Sequence, residues 1–382
     1  MPLFNVYPLY NVTPTSGKGV YVYDEKGTEY LDLYGGHAVI SIGHAHPKYV
    51  NAVSEQVSKL GFYSNAIQNP LQKELADKLE LLSGCKDYEL FLCNSGAEAN
   101  ENALKLASFK TGKSRVVAFK NGFHGRTSAA VAATDNKNII APINAQQQVT
   151  ILDLNDIDGV KAELEKGDVC AVIIEFIQGV GGLDQASSDF FEQVNALCKA
   201  NNTMFIADEV QSGYGRSGKF FAYQHYNVEP DIIAIAKGMG NGFPIGGILI
   251  HPEIEAKFGM LGTTFGGNHL ACAAGLSVLN VIEEQKLIDN TNTMSEYFLK
   301  IAKTIPQIKK IKGRGLMLGL EFDFEVGELR KKLIYNHHIF TGGASNNKLL
   351  RILPPLTVRK EHINMFFEAL IEALNEVETP VA

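Results

Sequence analysis

Six short apolar runs, "YELFLCN", "SRVVAF", "VTILD", "DVCAVIIEF", "TMFIADEV" and "DIIAIA", recur between residues 88 and 236, separated by stretches with helically spaced apolar positions. Runs of about four to eight apolar residues alternating with helices predict buried, mostly parallel strands joined by crossover helices, an α/β core. Before them, "VYVYDEKGTEYLDLY" at 20–34 alternates apolar and polar around a Glu-Lys-Gly turn, the pattern of an antiparallel hairpin. After them, "NHLACAAGLSVLNVIEEQKL" at 268–287 reads as a long amphipathic helix. It leads to an α+β unit containing "GRGLMLGLEF", "EVGELRKKLIYN", "LLRILPP" and a helix over 360–376.

With 382 residues the chain exceeds the size of a single growing core. The expected division is an N-terminal segment 1–50 packing with a small domain, a large domain 51–280, and a C-terminal small α+β domain 281–382.

Composition narrows the function classes. Hydrophobic residues at 45% and charged residues at 20% are ordinary for a globular protein. A net charge of -7 without a basic block argues against a nucleic-acid surface. No window approaches the roughly 18 apolar residues of a membrane span, and "MPLFNVYPLYNV" has neither a positive leader nor a cleavage site, so a cytoplasmic protein is expected. The five cysteines form no C-x-x-C pair, and the histidines of "GHAHP" and His337-His338 stand in no metal-binding frame; no metal site is expected.

In α/β sheets ligands bind beyond the strand ends, so polar residues directly after the apolar runs carry the first candidates for chemistry. "NSGAEANENALKL" reads as a capping box of Ser95 and Glu98. The same geometry offers Ser95, Gly96 and Ala97 to a phosphate at a positive helix end. In "FHGRT", Arg126 has the planar fork that captures a carboxylate, and Phe123 could stack on a flat ring or belong to the core. Asp208 ends an apolar run and needs a cationic partner, either an arginine or a protonated pyridine nitrogen. Lys237, 29 residues later, ends the next run and is followed by glycines at 238, 240 and 242. That spacing fits one loop, one helix and one strand, so acid and amine would meet at one sheet edge, with the glycines leaving room for a cofactor. An amine crowded by apolar neighbours has a lowered pKa and becomes a Schiff-base nucleophile.

A phosphate cradle, an aromatic stacker, a ring-directed Asp and a reactive Lys together describe a pyridoxal-phosphate site. The chain resembles the class III, fold type I, pyridoxal-phosphate aminotransferases over nearly its whole length, most closely the acetylornithine/succinylornithine branch. The resemblance is carried by "GHAHP", "NSGAEANENALKLA", "FHGRT", "IADEVQSGYGRSGKFFA", "PDIIAIAKGMGNGFPIGG" and "GTTFGGNHLAC". It implies a large domain with a mostly parallel mixed sheet flanked by helices, and a smaller α+β domain built from both chain ends. It implies that Lys237 binds pyridoxal 5′-phosphate, Asp208 holds the pyridine nitrogen protonated, Gln211 bonds the ring hydroxyl and Phe123 stacks on the ring. His124 and Glu175 complete the cofactor set. By the same resemblance Ser95, Gly96 and Ala97 take the phosphate, Thr263 and Thr264 reach the neighbouring subunit's cofactor in a homodimer, and Arg126 and Arg351 clamp substrate carboxylates. The implied reaction passes the δ-amino group of N-acetylornithine or N-succinylornithine to 2-oxoglutarate in arginine biosynthesis. Free ornithine, 4-aminobutyrate or another terminal amine is the alternative donor.

Two departures stand out. Val180 in "EFIQGVGG" replaces the family's second glutamate, which can pair with the arginine at the Arg351 position. His37 in "YGGHAV" stands where ornithine δ-aminotransferases tend to place a tyrosine, which weakens the free-ornithine reading.

Overall fold

A computed structural model describes residues 1–378. Its centre is a seven-stranded sheet of β4 (Glu89–Cys93), β5 (Arg115–Phe119), β6 (Val149–Leu152), β7 (Val169–Ile174), β8 (Met204–Asp208), β9 (Ile232–Ile235) and β10 (Gly246–Ile250), in the order β4-β10-β9-β8-β7-β5-β6. The pairs among β6, β5, β7, β8 and β9 are parallel, whereas β10 runs antiparallel to both β9 and β4. The six apolar runs are therefore strands of one mostly parallel mixed sheet, as expected. The antiparallel β10, formed by "GGILI", is the strand the apolar runs did not single out.

The period-two alternation of strand side chains explains why the runs are apolar throughout. Val117, Phe119, Val172, Ile174, Phe205, Ala207, Ile233, Ile235 and Leu249 enter one core cluster. Their neighbours Val116, Ala118, Ala171, Ile173, Ile206, Ile232, Ala234 and Ile248 enter the other. The helix Gly96–Thr111 covers this second face through Ala99, Ala103, Leu104, Leu106 and Ala107. The helix Ser188–Ala200 contributes Phe190, Phe191, Val194 and Cys198 to the first.

At the N-terminus β1 (Pro14–Lys18), β2 (Tyr21–Asp24) and β3 (Glu29–Asp32) form an antiparallel meander. The C-terminal strands are β11 (Lys310–Arg314), β12 (Met317–Glu321), β13 (Ile339–Phe340) and β14 (Leu349–Ile352). β13 pairs in parallel with β3, and β11-β12-β14 form a separate three-stranded sheet. The two chain ends thus share a sheet. Among the described residues no helix is long and apolar enough to cross a membrane, and no group of three His, Cys, Asp or Glu is placed to hold a metal ion.

Arg216, in the loop after β8, ties these parts together. Its guanidinium is fully buried and donates to the carbonyls of Pro354, of Leu316 at 3.3 Å and of Ile40 at 3.4 Å. Burial pushes its pKa down, with Asp32 opposing. Removing the donor would leave buried carbonyls unpaired and a cavity behind, so Arg216→Ala should destabilise the protein by roughly 3–5 kcal/mol. Urea denaturation checks this, and a variant within about 1 kcal/mol of the parent would contradict the bridging role.

Candidate active site

Every candidate acid, amine and helix end lies just past the C-terminal end of a parallel strand or of β4, which places them on one edge of the sheet. Ser95 follows β4, Phe123 to Arg126 follow β5, Glu175 follows β7, Asp208 ends β8, and Lys237 lies two residues past β9. Because β8 and β9 are adjacent, with Asp208 opposite Ala234, the acid and the amine come to the same place. They share a cavity of about 400 Å³ with Ser95, Gly96, Ala97 and Gln211. Phe123, His124, Arg126 and Glu175 complete the predicted part of its wall.

Asp208 is 3% exposed and accepts three hydrogen bonds. Its Oδ2 accepts from His124 Nδ1 at 2.7 Å and from Asn100 Nδ2 at 2.8 Å, and its Oδ1 accepts from the Val210 N–H at 3.1 Å. Burial opposes charge on His124, but its hydrogen bond to Asp208 and that carboxylate's charge outweigh burial and raise the imidazole pKa. Glu175 accepts from the N–H groups of Phe123 at 2.9 Å and Gly179 at 2.8 Å. Burial, then the Asp208 charge, pushes its carboxyl up to about 7. Burial lowers the pKa of Lys237, against the pull of Asp208 and Glu175 and with the help of Arg351. Among the described residues no carboxylate lies within 4.0 Å of its ammonium. Its backbone has φ 49°, a region sparsely used by residues with a side chain and associated with functional sites.

The helix Gly96–Thr111 starts at Ser95, whose Oγ accepts from the Glu98 N–H at 3.2 Å and lies 3.4 Å from Glu98 Oε1. Only the Ser95 half of the expected capping box is formed, because Glu98 Oε2 accepts from the Asn94 N–H at 3.2 Å and not from that of Ser95, and the Ser95 hydroxyl is shared with the Glu98 carboxylate. The first-turn N–H groups of Gly96 and Ala97 have no intrahelical partner, as at any helix start, and border the cavity. A Cβ on Gly96 would stand 2.5 Å from Val210 Cγ1, so this cradle requires glycine. The expectation that the glycines after Lys237 leave room for a ligand holds for Gly242, which borders the cavity, and needs correction for Gly240, where a Cβ would meet the Phe243 carbonyl at 2.2 Å and the missing side chain serves the turn.

Three predicted residues stand outside the cavity wall. Arg351 on β14 is 3% exposed and donates to the carbonyls of Gly343 and, at 2.7 Å, Gly179, with Gln211 Oε1 at 3.5 Å. Backbone carbonyls, not an acid, receive it where Val180 stands. Thr263 accepts from Asn94 Nδ2 at 3.3 Å and borders a different cavity. Thr264 is exposed. Arg126 is also exposed, at the cavity rim. His37 packs with Tyr34, whose hydroxyl is 2.7 Å from its Nε2, and burial lowers its pKa to about 4, helped by Arg351, Lys237 and Arg330. Sequence reasoning missed Asn100, Val210, Tyr34 and Arg330. Only Asn100 had a usable signal, since it sits one helical turn after Gly96 in the cradle helix.

The donor set fits pyridoxal 5′-phosphate: a buried amine of lowered pKa, a buried carboxylate facing the same space, and a glycine-requiring helix end with unpaired N–H groups. The titrations carry a test. His124, raised when folded, stabilises below its unfolded value and loses that contribution as pH rises through its folded value. Glu175, raised from 4.5 to about 7, likewise favours the fold at low pH and loses that contribution as pH rises between those values. Compared with Glu175→Gln, the cofactor-free parent should therefore lose urea resistance as pH rises from about 4.5 to about 7. Parallel pH profiles for parent and variant would contradict this assignment.

The model of the family "Aminotransferase class-III" matches residues 5–374. The chain is 42% identical to the acetylornithine aminotransferase of Aquifex aeolicus, over 97% of this chain and 99% of the relative. It is 39% identical to that of Bacillus subtilis, over 97% of each. The crystal structure of the ornithine aminotransferase from Toxoplasma gondii superposes with a TM-score of 0.90 at 28% identity, covering 97% of this chain and 92% of that one. A family match spanning nearly the whole chain, on a sheet edge that gathers the expected acid, amine and helix end, establishes that the protein belongs to the class III aminotransferases.

Proposed function

We propose that the protein transfers the δ-amino group of N-acetylornithine or N-succinylornithine to 2-oxoglutarate, giving glutamate and the N-acylglutamate 5-semialdehyde in arginine biosynthesis. The observation that carries the chemistry is the meeting of Asp208 and Lys237 in one cavity. The acylornithine donor is supported by the relatives at 36–42% identity that are named acetylornithine aminotransferase.

Pyridoxal 5′-phosphate, when bound, supplies the electron sink that weakens bonds at the amino-bearing carbon. The first-turn N–H groups at Gly96 and Ala97 would hold its phosphate, with Ser95, and Phe123 would cover its ring. Asp208, held in place by His124, Asn100 and the Val210 N–H, would keep the ring nitrogen protonated, and Gln211 would face the ring hydroxyl. Lys237 Nζ, easily deprotonated because it is buried, can take a proton from substrate carbon and return it. Arg126 at the rim would bind the distal carboxylate of either substrate, and Arg351 the α-carboxylate of glutamate. With Val180 beside it, Arg351 has backbone carbonyls as partners, and these cannot neutralise it.

The functional unit on this reading is a cytoplasmic homodimer. The helix Pro47–Lys59 buries none of its residues within one chain, and Phe62, Phe258 and Phe265 are exposed, which leaves an apolar surface for a second copy. Thr263 and Thr264, outside the Lys237 cavity, would then serve the neighbouring subunit. The segments 1–50 and 281–382 would form the small domain beside 51–280.

A substrate panel tests the donor. N-acetylornithine and N-succinylornithine should be turned over with 2-oxoglutarate in strong preference to free ornithine and 4-aminobutyrate; preference for free ornithine would establish the alternative. Lys237→Ala should fold normally and lose roughly a hundred- to ten-thousand-fold in kcat. The two arginines should separate in half-reactions followed by cofactor absorbance. Arg351→Ala should impair conversion by glutamate at least about ten-fold and spare the acylornithine side, whereas Arg126→Ala should impair both. An Arg126 variant that impairs only one side would overturn the shared clamp.

A further inference from the structure

Arg351 is not the only guanidinium at its end of the site. Arg330, on the helix Gly327–Tyr335, donates through its NH2 nitrogen to the Thr341 carbonyl at 3.0 Å, while its Nε is buried without a hydrogen-bond partner. The turn "TGG" brings the two arginines against one residue. Arg351 Nε donates to the Gly343 carbonyl, and a Cβ on Gly343 would stand 2.7 Å from the Arg330 NH1 nitrogen. A Cβ on Gly342 would be 3.0 Å from the Tyr34 ring and 3.1 Å from Arg351 Cβ. A side chain at Gly343 would displace the end of Arg330, and one at Gly342 would press on Tyr34 and the Arg351 stem.

Among the described residues neither guanidinium has a carboxylate within 4.0 Å. Glu175, whose charge Arg351 feels, is already bonded to the N–H groups of Phe123 and Gly179. Burial lowers the Arg351 pKa; Tyr34 opposes this and Arg330 adds to it. The Arg330 charge also reaches His37 and Tyr34, and the Arg351 charge reaches Lys237. Two neighbouring cations that lack an acid repel each other in a poorly solvated place, and a bound anion removes the conflict. Neutral partners surround them: the Tyr34 hydroxyl, His37 held mostly uncharged, and the Tyr10 ring, whose centroid lies 5.7 Å from the Arg330 guanidinium carbon.

We propose that Arg330 is a positioning residue for the substrate carboxylate assigned to Arg351: packed against the same Gly343, it acts through Arg351 by adding positive charge on the dicarboxylic-substrate side. The inference rests on the aminotransferase reading and adds a residue to its acceptor side. Arg330 takes the place of a masking acid's opposite: it strengthens the local positive field, so the dicarboxylic substrate binds the Arg351 end tightly. The acylornithine donor, whose carboxylate goes to Arg126, makes no use of it. Arg330 therefore biases the enzyme toward the dicarboxylic partner.

The test compares the parent with Arg330→Gln and Arg330→Lys as holoenzymes in separate half-reactions. Arg330→Gln should weaken apparent binding of L-glutamate about ten-fold and leave apparent binding of the acylornithine within about two-fold. Arg330→Lys, which keeps the charge, should recover most of the loss. Calorimetric titration with glutarate, a dicarboxylate that cannot react, should show the same order of affinities. Equal weakening of both half-reactions, no weakening of either, or a lysine variant as poor as the glutamine variant would overturn the proposal. If the parent used a different amine donor, the substrate panel would fail while the glutamate and glutarate results still decided the role of Arg330.

Discussion

A buried carboxylate held by three hydrogen-bond donors organises this molecule. Asp208 ends β8 inside the protein, where an unpaired carboxylate would cost several kcal/mol, and three donors meet it there. Each comes from a different segment: His124 from the loop after β5, Asn100 from the cradle helix, and the Val210 N–H from its own turn. Asn100 Nδ2 also donates to the His124 carbonyl at 2.8 Å, which fixes loop and helix to each other. The acid that chemistry requires is thus also the joint that locates the walls of the cavity around it.

Charge at the site is graded by what each group can find. Asp208 has three donors, Glu175 has two backbone N–H groups, and Lys237 has no carboxylate within ion-pair distance among the described residues. Burial consequently acts in opposite senses on acid and amine: it raises the Glu175 pKa and lowers that of Lys237. The two shifts bring an amine that gives up its proton more readily and a carboxyl that holds one more readily into one small space. Arg351 and Arg330, which stand outside that cavity wall, meet backbone carbonyls, the Gln211 side chain and the Tyr10 ring, and no carboxylate within ion-pair distance among the described residues.

The structure also explains why the loops carry so many glycines. Gly96 yields to Val210, Gly342 to Tyr34 and Arg351, Gly343 to Arg330, and Gly240 to the Phe243 carbonyl. Reading the last of these as space for a ligand was reasonable from the sequence, since a missing side chain does suggest room. Which neighbour fills that room depends on a turn whose path no local pattern describes.

The chain by itself determined the strands, because both faces of the central sheet are buried and the runs had to be apolar throughout; acid and amine do meet on neighbouring parallel strands, but the connection expected to hold a helix is a loop with one short 3-10 turn, Ala222–His225. The antiparallel β10 was hidden, since "GGILI" offers only three apolar side chains after two glycines. The company of each charge belonged to tertiary structure alone. Asn100 reaches Asp208 across 108 positions and Arg351 reaches Gly179 across 172, separations over which sequence carries no local signal. Arg330 reads as one more solvated charge in "GELRKKL" until the fold sets Gly343 against it. Periodicity records which side of an element faces the core, and so it survives in one dimension; the pairing of charges depends on where distant loops meet, and only the folded chain decides that.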